Sequence, residues 1–222
     1  RSIIKRFRKE IWRPFVRALN DYDMIKEGDN IAVCISGGKD SMLLAKCMQE
    51  ILRHGKMEFG LKFLVMDPGY APENTLPAFQ KAIELGADGI ETDIHYTRDG
   101  RFAVCHDNTL ERTSDGQGSV SEKTIEQLKA YDFGCRFEPR PAEPVRLPIL
   151  EELLDLVREM DVINIEVKEL PPEPSLRREA VHTLLHILRD FACGSRVILS
   201  SFQHEWLREI KDRAPELRTG LL

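Results

Sequence analysis

Gly89-Ile90-Glu91-Thr92-Asp93-Ile94 is the stretch whose reading decides the fold, and Asn164-Ile165-Glu166-Val167-Lys168 further along the chain repeats its pattern. Both are short apolar, β-branched runs, the signature of strands. Each also carries polar or charged side chains at alternate positions. Successive side chains of a strand point to opposite faces, so Glu91 and Asp93 emerge on one side, and Glu166 and Lys168 share a side in the same way. Carboxylates converging at strand ends offer the oxygen ligands that a hard divalent cation, Mg²⁺ or Ca²⁺, prefers. Such a cation neutralises a bound anion and stabilises the charge that develops on it.

Working outward, similar runs at 31–35, 61–66, 102–105 and 196–200, with a short one near 217–222, read as further strands. Helical periodicity fits 41–54, 74–85, 122–131, 149–159, 175–192 and 204–213. Strands alternating with helices over short links predict an α/β fold with a parallel sheet or a barrel. The Pro-rich stretches Glu138–Pro148 and Pro171–Pro174 read as loops within that pattern. A length of 222 residues suits one large domain or two small ones, and 42% hydrophobic residues supply a sizeable core. The net charge of −5 argues against generic nucleic-acid binding, although residues 1–17 hold seven basic residues against one acid, Glu10. There Ile4, Phe7, Ile11 and Phe15 recur at helical spacing, which predicts a basic amphipathic helix bent or restarted near Pro14. No apolar stretch approaches the ~18 residues of a membrane span, and no signal-peptide pattern is present. The five cysteines lie far apart, as in a protein of the reducing cytoplasm.

Ser36-Gly37-Gly38-Lys39-Asp40-Ser41 joins the expected strand at 31–35 to the expected helix at 41–54. Adjacent glycines allow close backbone approach, and the helix start adds free N–H groups and a positive dipole, as a pyrophosphate site requires. The string resembles the PP-loop of ATP pyrophosphatases. Ile25-Lys26-Glu27-Gly28-Asp29 and Phe63-Leu64-Val65-Met66-Asp67-Pro68-Gly69-Tyr70 make residues 1–70 similar to the opening of the tRNA 2-thiocytidine synthetase group. That resemblance implies ATP as a ligand of Ser36–Ser41. No tRNA partner is expected, because the later strands and paired cysteines of that group are missing.

From Ala71 onward the likeness changes. Pro72-Glu73-Asn74-Thr75-Leu76, Gly86-Ala87-Asp88-Gly89-Ile90-Glu91-Thr92-Asp93, Cys105-His106-Asp107-Asn108-Thr109-Leu110-Glu111-Arg112-Thr113, Asn164-Ile165-Glu166-Val167-Lys168 and Ser200-Ser201-Phe202 resemble the glycerophosphodiester phosphodiesterase family. The resemblance implies a TIM-like barrel with its site at the carboxyl ends of the strands. It also implies hydrolysis of a glycerophosphodiester to glycerol-3-phosphate and an alcohol. In that reading Glu91, Asp93 and Glu166 hold the metal, Lys168 contacts a phosphate oxygen, and His106 transfers a proton. His95 shares the parity of Glu91 and Asp93 and is read as a rim histidine. His54, His182, His186 and His204 are read as surface residues, Trp12 and Trp206 as packing residues, and Asp115–Gly118 as a turn.

One departure stands out. Family members begin with a strand ending His-Arg-Gly, and counting back from Gly69-Tyr70-Ala71-Pro72-Glu73-Asn74 places Leu64, Val65 and Met66 there. The expectation is therefore a chimera: residues 1–70 form a PP-loop β-α-β segment with a basic helix and supply the first strands, and 71–222 form a partial barrel. Its phosphodiesterase activity is expected to be impaired. The alternatives are an ATP-binding protein of the PP-loop type and a non-catalytic engineered hybrid.

Overall fold

The computed structural model describes residues 3–35, 39–55, 57–65, 71–169, 171 and 173–221, and gives the backbone alone for Cys34, Ile35, Lys39, Leu64, Val65 and Leu221. The chain divides into two compact units, Arg1–Met66 and Asp67–Leu222.

The first unit opens with α1 (Ile3–Arg6), a π-helical turn (Arg8–Trp12) and α2 (Arg13–Asp21). Pro14 sits in the first turn of α2, where its missing N–H leaves no helical bond unmade, so the helix restarts there. Phe15 and Leu19 pack against a small core of Ile25, Val33, Ala45, Met48 and Phe59. Arg13 and Arg17 stay in solvent, so the basic face is the outer face of a packed helix. β1 (Asn30–Ile35), α3 (Lys39–His54) and β2 (Gly60–Val65) follow, with β1 and β2 parallel and Val33 opposite Phe63. The glycines of the expected phosphate loop, with Ser36, lie outside the described residues. Asp40 and Ser41 stand in the first turn of α3.

The second unit contains α4 (Leu76–Glu84), β3 (Gly89–Tyr96), β4 (Phe102–Val104), α5 (Ile125–Lys129), α6 (Leu150–Leu156), β5 (Val162–Val167), α7 (Pro174–Asp190), β6 (Val197–Ser201), α8 (His204–Arg213) and β7 (Arg218–Leu221). β3, β5, β6 and β7 pair in that order, all parallel. α4 ends because Gly86 takes φ 76°, and its N–H and that of Ala87 fold back onto the carbonyls of Ile83 and Ala82. β4 departs from the expected parallel pattern: it runs antiparallel to β3, with His95 opposite Ala103. The reason is local. Asp99-Gly100 closes a hairpin, Gly100 adopting φ 76° while Thr97 N–H donates to the Arg101 carbonyl at 2.9 Å.

Ile90, Ile94, Ile163, Ile165, Val197 and Leu199 face one layer and pack against Phe79 of α4, Leu153 of α6, Leu184 of α7 and Trp206 of α8. The alternate positions of the same strands hold Glu91, Asp93, Asn164, Glu166 and Ser200, all buried. The apolar half of each strand thus builds the core, and the polar half is left for another purpose. A second cluster, including Ala103, Cys105, Leu110, Leu128, Phe133 and Leu147, stabilises the long connection between β4 and α6. No described helix is long and apolar enough to cross a membrane.

Candidate active site

In the parallel register of β3 and β5, Asp93 lies opposite Glu166 and Glu91 opposite Asn164. Neighbouring strands are ~4.8 Å apart, and register partners share a face, so carboxylates from segments distant in sequence are forced together. Ligand oxygens of Glu91, Asp93 and Glu166 lie within 4.8 Å of one another, and all three residues are buried. The Lys168 ammonium reaches into this cluster, 2.7 Å from Asp93 Oδ1 and 2.5 Å from Glu166 Oε1.

Three buried carboxylates against one ammonium leave an excess of negative charge. Glu91 shows the consequence. Its carboxyl is pushed up to about 8, chiefly by burial and then by the charges of Asp93 and Glu166. Glu91 Oε2 is buried with no hydrogen-bond partner among the described residues. An unsatisfied buried carboxylate oxygen beside two more carboxylates is the donor set of a hard divalent cation, so the residues present fit Mg²⁺ or Ca²⁺.

Asn74 fixes one of these ligands. It sits at φ 54°, a left-handed conformation that asparagine tolerates better than most residues. Its Nδ2 donates to Asp93 Oδ2 at 3.0 Å, and its Oδ1 accepts from Thr92 Oγ1 at 2.9 Å. Asp93 therefore turns one oxygen to Asn74 and keeps the other for the cluster. Partners of this kind typically change metal affinity 10–100-fold. Asn74→Ala is accordingly expected to weaken Ca²⁺ binding by about 10–100-fold, read by calorimetric titration; an unchanged affinity would show that Asp93 needs no support.

His106 follows β4 and is half exposed, with its Nδ1 2.7 Å from Asp107 Oδ1. Arg112 grips both oxygens of Asp107, Nε on Oδ2 at 2.5 Å and Nη2 on Oδ1 at 2.8 Å, and Nη2 also pairs with Glu73. Asp107 is held down to about 2, first by the Arg112 hydrogen bond and then by His106. A carboxyl lowered from its usual 3.8 contributes stability above that value and loses it as pH falls toward 2. Asp107→Asn should flatten the acid limb of the stability curve in that window, measured by thermal melts; Arg112 is half exposed, so the change should be small. An acid limb identical to that of the wild type would contradict the pairing.

His95 is buried, with 3% of its surface exposed, so it is not the rim residue expected from the sequence. Its Nε2 lies 3.3 Å from the His106 carbonyl, and burial pushes its pKa down. The β3–β4 hairpin explains the correction, because it places the backbone of His106 beside the side chain of His95. Cys105, next to His106, is pushed up to about 12, mainly by burial, and is an inert thiol. Ser200 stands opposite Glu166 in register on β6, and its buried Oγ has no partner among the described residues. Asn74, Asp107, Arg112 and Ser200 stand within the family-like motifs, where sequence alone assigns them no role. Alternation along β6 from Ile198 would have pointed to Ser200; the others depend on tertiary contacts. His54, His182, His186 and His204 are exposed and Trp206 is buried among core residues, as expected.

Comparison with known proteins places this geometry. The model of the glycerophosphoryl diester phosphodiesterase family matches residues 67–222. A glycerophosphodiester phosphodiesterase of Caldanaerobacter subterraneus is 40% identical over 158 residues, 70% of this chain and 63% of that protein. The crystal structure of a glycerophosphodiester phosphodiesterase from Agrobacterium tumefaciens superposes with a TM-score of 0.58 at 29% identity, covering 68% of this chain and 60% of that one. An Oleispira antarctica phosphodiesterase, solved in complex with the product sn-glycerol-3-phosphate, superposes with a TM-score of 0.59 over 90% of this chain and 67% of its own; at 21% identity it speaks for the fold alone. The chain thus spans under two thirds of the length of the curated relative it matches at 40% identity. With the family pattern running from residue 67 to the last residue, and its motifs meeting at one place in the fold, the chain belongs to the glycerophosphoryl diester phosphodiesterase family.

Proposed function

We propose that residues 71–222 carry a metal-dependent phosphodiesterase site that hydrolyses glycerophosphodiesters to glycerol-3-phosphate and an alcohol. The observation that carries this reading is the meeting of Glu91, Asp93 and Glu166, with Glu91 Oε2 buried and without a partner among the described residues. These three residues would hold Mg²⁺ or Ca²⁺, which when bound supplies positive charge to a phosphodiester and to the charge developing on it. Lys168, whose ammonium rests on Asp93 and Glu166, would pair with a phosphate oxygen of a bound phosphodiester. His106 moves a proton to or from a reacting oxygen through its half-exposed ring.

The chain lacks the His-Arg-Gly of the family's first strand, with Leu64-Val65-Met66 in its place. One positioned acid–base group is worth about 10²–10⁴ in rate, so turnover should fall below that of the Caldanaerobacter relative by that factor. Release of glycerol-3-phosphate from glycerophosphocholine, followed with Mg²⁺ or Ca²⁺, tests the reading. Slow, strictly cation-dependent release that Asp93→Asn abolishes supports it; no release above background with either cation rejects it.

A second reading concerns residues 1–66. β1 ends at Ile35 and α3 begins at Lys39, the strand and helix between which a PP-loop stands. Ser36, Gly37, Gly38, Lys39, Asp40 and Ser41 would then bind the phosphates of ATP. ATP titration of the wild type and of Lys39→Ala decides it, equal binding by both forms removing the loop from consideration. The four cysteines whose side chains are described, Cys47, Cys105, Cys135 and Cys193, are all free, which agrees with a cytoplasmic setting.

A further inference from the structure

We propose that Asp107 is a positioning residue for His106: with Arg112 and Glu73 behind it, it pins the imidazole proton to Nδ1 and presents an unprotonated Nε2 to the reacting groups.

Asp107 receives two guanidinium N–H bonds from Arg112, one on each oxygen, and an ionised carboxylate has no proton to give. The contact of 2.7 Å between His106 Nδ1 and Asp107 Oδ1 is therefore a hydrogen bond in which Nδ1–H donates. In the neutral ring that leaves Nε2 with a lone pair, and among the described residues Nε2 has no partner. Imidazole free in water prefers the opposite tautomer, so the carboxylate selects the less common form.

The Asp107 carboxylate and the backbone around it are held by three further contacts. Glu73 pairs with Arg112 Nη2, the same nitrogen that donates to Asp107 Oδ1, and so holds the guanidinium against Asp107. The carbonyl of His106 lies within reach of His95 Nε2, and the Asp107 carbonyl accepts from Cys105 Sγ at 3.5 Å. Glu73 and Asn74 are adjacent in the turn before α4, so one short segment braces His106 on one side and Asp93 on the other. When Nε2 accepts a proton, the imidazolium rests against the Asp107 carboxylate, which stabilises its charge without taking the proton. A carboxylate orienting a histidine by way of its second nitrogen is the general logic of acid–base sites, assembled here from residues of a loop.

The purpose of this arrangement rests on the phosphodiesterase reading, whereas its test needs neither substrate nor cation. Long-range ¹H–¹⁵N spectra of the ring nitrogens, assigned with His106→Gln, report the tautomer directly. The neutral wild-type ring should show the Nδ1–H pattern, and Asp107→Asn should shift it toward Nε2–H. Arg112→Gln, which leaves Asp107 in place, should keep the Nδ1–H form. A predominantly Nε2–H ring in the wild type overturns the proposal even if no variant folds, and so does an Asp107→Asn spectrum matching the wild type. Where turnover is measurable, Asp107→Asn should lower kcat by about 10²–10⁴ with KM little changed. Absent turnover alongside an Nδ1–H ring would count against the phosphodiesterase reading and leave the positioning intact.

Discussion

Lys168→Met should destabilise the cation-free protein by about 3–5 kcal/mol, the usual cost of removing one partner from a buried ion pair. The ammonium stands between two carboxylates that are almost wholly buried, and its loss leaves Asp93 and Glu166 facing each other with Glu91 close by. Mutual repulsion and desolvation then oppose folding with nothing to offset them. A divalent cation supplies what the ammonium supplied, so millimolar Mg²⁺ or Ca²⁺ should restore most of the lost stability by mass action. The variant should also bind the cation more tightly than the wild type, since no resident charge has to be displaced. Thermal melts with and without cation check both halves. A variant as stable as the wild type, or one that added cation does not rescue, would mean that Lys168 is not the counter-charge of this cluster.

Asp93→Asn should act in the opposite sense. It removes one negative charge and one ligand while keeping the shape of the side chain that Asn74 holds. Supporting partners of a metal ligand are worth 10–100-fold in affinity, and a ligand itself should exceed that, so Ca²⁺ or Mg²⁺ affinity should fall by more than about 100-fold. The cation-free protein should meanwhile tolerate the change, because less like charge is buried beside Glu91. Calorimetric titration and thermal melts on the same sample measure the two effects. Loss of affinity through wholesale unfolding would appear as a lowered melting temperature, and that outcome would contradict the account.

How much of this could be read from the sequence depended on the range of the interactions. Two-residue alternation on β3 and β5 placed Glu91 with Asp93 and Glu166 with Lys168, because strand parity is a local property. Parallel pairing of neighbouring strands then supplied the meeting. The antiparallel turn of β4 was missed although Asp99-Gly100 was its signal, because an apolar run such as Phe102–Val104 says nothing about direction. His95 was assigned the correct parity and the wrong environment, since burial there comes from the hairpin closing over it. The Asp107–Arg112–Glu73 chain was beyond reach, as it joins residues far apart in sequence through a loop whose path is set by side-chain packing. The ion pairs of Lys168 with Asp93 and Glu166 add to the strand parity of Glu166 and Lys168 a contact that spacing alone does not specify.

The most direct test of the central claim is a calorimetric titration of the full chain with Ca²⁺ and with Mg²⁺. One cation should bind per chain, with protons released as Glu91 gives up the proton that burial holds on it. Heat of dilution alone, or binding that survives in Asp93→Asn at full strength, would mean that these acids never share an ion.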